Sequence, residues 1–147
     1  MSRETKHTLH MTRIFDAPRP VVFDYFTQPE LVKTWWVPPG TTAESVEIDL
    51  RVGGSCRWQV RGSKNQRIVI TGTIKELIIP QRIVMTNQWE GLDATLITFE
   101  FIELGKQTEV RLIHHGIPAA DMMPMFQTNW TKTLERLEEQ LQSRGAL

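Results

Sequence analysis

The chain has 147 residues, 40% hydrophobic and 23% charged, a length and balance that suit one globular domain and exclude a disordered polar chain. Its 17 Lys and Arg offset its 17 Asp and Glu, so no net charge draws it toward nucleic acid or an anionic membrane surface. One cysteine, Cys56, excludes an intrachain disulfide; the polar start MSRETKHTLHMTR has no apolar signal core, and no apolar run nears the roughly 20 residues of a membrane helix.

The first strand is predicted over about Thr8–Phe15, closed by Asp16-Ala17-Pro18. Pro20 suits the first turn of a helix, where a missing N–H costs nothing, and Val21, Val22, Tyr25 and Phe26 give it one apolar face. Pro29 opens a second short helix through about Thr34. After Trp35-Trp36-Val37-Pro38-Pro39-Gly40 the period changes to two. Val46, Ile48 and Leu50 alternate with acidic and basic neighbours, Gly53-Gly54 turns the chain, and Cys56, Trp58 and Val60 alternate in their turn. Each pattern is that of a strand with one wet face. Further strands are predicted at about Arg67–Ile79, Gln81–Trp89, Ala94–Ile102 and Thr108–His115, with a hairpin turn at Leu104-Gly105-Lys106-Gln107. Short links between strands predict an antiparallel meander.

The C-terminal segment is helical. Asp121 is the expected N-cap, and Pro124 is tolerated in the first turn. Met123, Phe126, Trp130, Leu134, Leu137 and Leu141 recur at spacings of three or four, with Lys132, Glu135, Arg136, Glu138 and Glu139 on the other face. At about 20 residues such a helix is roughly 30 Å long, enough to cover one face of a curved sheet. The expected architecture is α+β, a seven-stranded antiparallel sheet around a long terminal helix, as a single domain over residues 1–147 with its ordered core at about 8–142.

Several stretches then fall into a recognisable order: Thr12-Arg13-Ile14-Phe15-Asp16-Ala17-Pro18, Pro29-Glu30-Leu31, Trp35-Trp36-Val37-Pro38-Pro39-Gly40, Gly53-Gly54, Pro80-Gln81-Arg82-Ile83-Val84, and Asn129-Trp130 with its following leucines. The chain resembles the SRPBCC (START-like, helix-grip) superfamily from about residue 8 to 142. Within it, it is similar to the branch named after the C-terminal domain of the activator of the ninety-kilodalton heat-shock protein ATPase. The resemblance implies the helix-grip fold, with two short helices after the first strand. It also implies a choice of functions: carriers of lipids, sterols and polyketides, aromatase/cyclases, and a co-chaperone domain. Many relatives carry Gly-Trp where this chain has Asn129-Trp130, a difference in local packing or cavity shape.

Strand alternation assigns side chains to a face. Val46, Ile48, Leu50, Cys56, Trp58 and Val60 share one parity. On later strands Ile83, Met85, Ile97, Phe99, Phe101, Val110, Leu112 and His114 point the same way, opposite Met122, Met125, Phe126 and Trp130 of the helix. An inward set so rich in Trp, Phe and Met is either a closed core or a cavity wall. The expected ligand-binding residues are Trp36, Trp58, Met85, Asn87, Trp89, Phe99, His114, Met122 and Phe126. His114 and Asn87 are the polar groups among them. The two short helices and the Trp-Trp-Val-Pro-Pro-Gly segment are expected to form a lid.

Catalytic constellations are poorly represented. His7 and His10 lie three apart on a strand and diverge, as do His114 and His115, so no metal or cofactor is expected. Glu47, Asp49 and Glu100 take outward parities, so no carboxylate pair converges inside. Cys56 is inward and inert in apolar surroundings. Gly53-Gly54 lacks the Lys and Ser/Thr of a phosphate loop. From Leu50 to Lys75 there are six basic residues, Arg51, Arg57, Arg61, Lys64, Arg67 and Lys75, and no acid. The stretch is either a solvated face or an edge for an acidic partner. Nucleic acid is not expected, since the aromatics face inward and cannot stack on bases. The leading expectation is a cytoplasmic, non-catalytic binding domain with a pocket for a small, mostly apolar or aromatic ligand. The alternatives are a chaperone-interacting domain using Arg51–Arg67, and a polyketide cyclase-like enzyme using His114.

Overall fold

The alternating segments fold into seven strands: β1 His7–Phe15, β2 Thr42–Ile48, β3 Ser55–Arg61, β4 Arg67–Ile78, β5 Arg82–Trp89, β6 Thr95–Leu104 and β7 Gln107–Ile117. Two short helices, α1 Arg19–Thr27 and α2 Pro29–Val32, follow β1. A 3-10 turn, Ala120–Met122, leads into the terminal helix α3, Met123–Arg144. The structure, a computed structural model, describes residues 7–144. Residues 1–6 of the polar start, and 145–147 of the expected domain, lie outside the described residues.

Strand order is β1-β7-β6-β5-β4-β3-β2, with every neighbouring pair antiparallel. From β2 to β7 this is the expected meander. β1 departs from it: Thr8 pairs with His115 and Phe15 with Thr108. The two short helices carry the chain from β1 across to the opposite edge, so β1 and β2 end as the two sheet edges. Two local expectations also change. Leu50 lies beyond the end of β2. Asp121 is not the cap of α3, because the chain already winds before Met123, with the Met122 N–H donating to Ala119 C=O at 3.1 Å. Between β2 and β3 the paired glycines are structural requirements. Gly53 has φ of 85°, and a Cβ on Gly54 would come within 1.9 Å of the Asp49 carbonyl oxygen.

The inward parity of the sheet is buried, including Trp58, Val60, Ile97, Phe99, Phe101, Val110 and Leu112. The outward parity carries ion pairs, among them Arg82 with Glu100. α3 is closed down unevenly along its length. Leu134, Leu137 and Leu141 are buried against the sheet, and Arg13 of β1 binds Glu138 at that end. Toward its N-terminus Phe126 is only half-buried and Met125 is exposed. The Trp35 ring is fully buried, its indole N–H donating to the Tyr25 carbonyl at 2.7 Å, which ties the segment after α2 back to α1. Phe26 of α1 packs edge-on against Trp35, Phe99 and Phe101 at ring separations of 4.7 to 5.0 Å.

Leu137 has no exposed surface. Leu137→Ala is expected to cost about 2–5 kcal/mol. Glu139→Ala on the opposite, wet face should stay within about 0.5 kcal/mol. Urea midpoints of the two variants check both.

Candidate functional site

Between the sheet and the N-terminal half of α3 lies a cavity of about 380 Å³. Three layers of chain build it. Strand register places Trp58 opposite Ile70 and Ile70 opposite Trp89, so a row of three large apolar side chains crosses β3, β4 and β5 on the inward face. Helical spacing brings Met122, Phe126 and Trp130 over this row, and Met125, Asn129 and Thr133 beside them. Trp36, Val37, Pro38 and Pro39 close one side. Exposed Trp89, Leu92 and Met125 give the mouth an apolar rim.

Of the residues expected here, Trp36, Trp58, Asn87, Trp89, His114, Met122 and Phe126 line the cavity. Met85 and Phe99 do not. Both are buried, and Phe99 lies beneath Trp36 and Trp130, with ring centroids 5.3 and 6.0 Å away, as part of the core floor. Parity put them on the correct face, but depth within that face depends on what packs over them. The lid also needs correction. Val37, Pro38 and Pro39 line the cavity as expected, whereas no residue of α1 or α2 does. The two short helices pack into the core and hold the lid segment through Phe26 and Trp35. The expected wall list omitted Ile70, Leu92, Met125, Asn129, Trp130 and Thr133. The sequence pattern sets Met125 and Trp130 opposite the inward face without carrying them into that list, and helical spacing of four from Met125 could have found Asn129. Nothing in the pattern marks Leu92, which lies in a polar turn.

His114 joins the helix to the sheet. The Trp130 indole can only donate, and its Nε1–H lies 2.9 Å from His114 Nδ1. The imidazole proton therefore sits on Nε2, which donates to Thr95 Oγ1 at 2.8 Å. Thr95 in turn donates a hydrogen bond from its hydroxyl to the Asn87 backbone carbonyl at 3.2 Å. Every group in this chain of donors points one way, from helix to sheet. Burial pushes the His114 pKa down to about 4. At neutral pH the ring is uncharged and both its nitrogens are engaged. It has no lone pair free to take a proton from a guest.

No charged side chain lines the cavity. Its unengaged polar groups are few. The side-chain amides of Asn87 and Asn129 make no hydrogen bond among the described residues. The Trp58 ring lines the wall, but its indole N–H is buried away from the cavity space and has no protein acceptor. Burial raises the Cys56 thiol to about 11, so it stays protonated. Among the described residues no three His, Cys, Asp or Glu side chains converge as a metal site would require. The basic stretch meets acids from β2 and its following turn. Arg61 and Arg67 converge on Glu44, and hydrogen bonding from Arg61 lowers the Glu44 pKa. Arg51 pairs with Asp49, and Glu47 lies opposite Arg57 in the strand register.

Residues 16–142 match the family model described as "Activator of Hsp90 ATPase homolog 1-like protein". Solved structures share the fold. A protein from Chromobacterium violaceum is 24% identical with a TM-score of 0.82, over 90% of this chain and 94% of its own. One from Nitrosomonas europaea is 22% identical with a TM-score of 0.82, over 95% and 97%. The AHSA1 protein of Silicibacter pomeroyi is 19% identical with a TM-score of 0.82, over 94% and 99%. No curated protein matches the sequence.

Protonation of His114 would set a second donor against the Trp130 N–H, so stability should depend on pH. The folded pKa of about 4 lies below the unfolded value of about 6.5. The unfolded chain thus binds more protons between these values. The contribution is full above pH 6.5, falls as pH drops, and is lost near pH 4, a change of about 3 kcal/mol. Urea denaturation at pH 7, 5.5 and 4 should show this slope. His114→Gln, which cannot titrate, should flatten it by that amount.

Proposed function

Because the chain belongs to the Activator of Hsp90 ATPase homolog 1-like family, within the SRPBCC superfamily, we propose that it is a non-catalytic domain that holds a small, mostly apolar molecule between its sheet and α3. The observation that carries this reading is the uncharged cavity of about 380 Å³, walled by Trp, Phe, Met and Pro side chains and open at an apolar rim. Its volume and lining suit a small-molecule site, in which apolar walls supply affinity and a few polar groups set orientation. His114 supports binding over acid–base catalysis, since a general base needs a free lone pair and a pKa near the working pH. The residues proposed to touch the guest are Trp36, Trp58, Asn87, Trp89, His114, Met122 and Phe126. One START-like domain and a reduced, cytoplasmic setting belong to the same reading. They are supported by the pairing of β1 with β7 and by one buried free thiol. Among the described residues no helix is long and apolar enough to cross a membrane.

The family's name suggests a chaperone partner as the alternative. Arg51 already pairs with Asp49, and Arg61 and Arg67 share Glu44, so acids of this chain offset part of the positive charge the stretch could offer one.

A neutral fluorescent probe of apolar sites, N-phenyl-1-naphthylamine, should brighten on binding and saturate at one molecule per chain. Phe126 is half-buried on α3, so Phe126→Asp should fold while placing a carboxylate in the wall. Binding should weaken at least about ten-fold, with the far-ultraviolet circular dichroism unchanged. No saturable signal with the native protein would overturn the carrier reading.

A further inference from the structure

A second cavity, of about 290 Å³, lies on the other face of the sheet, away from α3. Strand register builds its walls. Glu47 of β2 is opposite Arg57 of β3, Arg57 opposite Thr71 of β4, and Thr71 opposite Gln88 of β5, so one polar row crosses four strands. A shorter row runs beside it: Ser55 is opposite Thr73, whose backbone N–H donates to Thr86 Oγ1 at 2.9 Å. These side chains take the parity opposite to buried Trp58, Ile70 and Met85, so the cavity is separate from the one under α3. Its charges are uncompensated within the chain. Arg51, Arg61 and Arg67 all have carboxylate partners, whereas Arg57 donates only to the Gln59 side-chain oxygen, at 3.2 Å. Among the described residues Glu47 and Arg57 form no ion pair with each other or with any other group, although the register sets them opposite. No aromatic ring lines the cavity, so it offers no surface on which a base could stack.

Independently of the carrier reading, we propose that this outer cavity holds a small zwitterion of amino-acid type, its carboxylate on the Arg57 guanidinium and its ammonium on the Glu47 carboxylate. Cβ atoms directly opposite on neighbouring antiparallel strands lie about 5 Å apart. An α-amino acid separates its two charges by a single carbon, so one molecule spans the pair. A guanidinium takes a carboxylate through two parallel hydrogen bonds, which fixes the orientation of the guest. The hydroxyls of Ser55, Thr71 and Thr73 are then left for its polar side chain. A lone anion would be repelled by Glu47, and a lone cation by Arg57. Only a guest carrying both charges satisfies the two together. Both residues are exposed, so water screens each contact and the expected affinity is modest.

Titration of the isotope-labelled protein with L-serine, followed through backbone amide chemical shifts, should give saturable shifts on β2, β3 and β4. Serinol keeps the ammonium and lacks the carboxylate, and N-acetyl-L-serine keeps the carboxylate and lacks the ammonium. Each should bind about ten-fold weaker than L-serine. Arg57→Gln and Glu47→Gln change exposed side chains, so both should fold with unchanged circular dichroism and weaken L-serine to the same degree. Phe126→Asp, in the other cavity, should leave L-serine binding as it is. Either half-molecule binding as tightly as L-serine overturns the two-charge recognition. No saturable shift with the native protein, or binding that survives both substitutions, overturns the site. Loss of L-serine binding in Phe126→Asp would move the guest to the cavity under α3 and overturn it as well. Failure on any of these counts leaves the carrier reading standing, since that reading is tested by N-phenyl-1-naphthylamine.

Discussion

The spacing between α3 and the sheet is set by the hydrogen bond from Trp130 to His114, and most of what surrounds the cavity follows from that spacing. A donor–acceptor contact of 2.9 Å between two large rings holds the helix at a defined height over β7. Farther along, Leu134, Leu137 and Leu141 have no such spacer and close on the strands. The helix is thus anchored by compact leucines at one end and propped by aromatic rings at the other. A cavity forms at the propped end because planar side chains meeting edge-on do not fill space as interdigitated aliphatic groups do.

The prop is stable only while His114 is neutral. Its Nδ1 must accept from an indole that can do nothing but donate, and its Nε2–H then has a fixed acceptor in Thr95. Desolvation keeps the ring uncharged, and the bonding pattern requires it uncharged, so the two effects reinforce each other. The same arrangement removes the histidine from chemistry. A residue whose type suggests acid–base work serves here as a strut between helix and sheet.

Aromatic packing links the lid to the core in a similar way. Trp35 and Trp36 are adjacent in sequence and stacked at 5.5 Å, yet they do different things. Trp35 is sunk against α1 and hydrogen-bonded to Tyr25. Trp36 reaches Trp58, Phe99 and Trp130 and forms cavity wall. The helices α1 and α2 therefore act on the cavity through this pair and through Phe26, which packs edge-on against Phe99 beneath it. Cross-strand register contributes the opposite wall, since a slip of one residue in β3 or β4 would turn Trp58 or Ile70 to solvent.

Period-two alternation in the strands and the three-and-four spacing of α3 are local properties, and they were legible in the residues: the elements, the inward parity and most wall residues follow from them. Adjacent-strand pairing from β2 to β7 was legible too, because short turns force neighbours together. The pairing of β1 with β7 was not, since it depends on where the two short helices deliver the chain. Nor could parity separate Phe99 from Trp58. Both face inward, but Phe99 is covered by Trp36 and Trp130, and covering is a property of elements distant in sequence. The basic stretch looked unopposed for the same reason: Glu44 and Asp49 precede it in sequence and meet it only once β2 pairs with β3 or the chain turns between them. Sequence by itself determined which side chains could face the interior, because the backbone period acts over a few residues. Tertiary structure alone decided which of them became floor, strut or wall, and left the Trp58 N–H without a protein acceptor, because those outcomes depend on contacts between segments the local period does not relate.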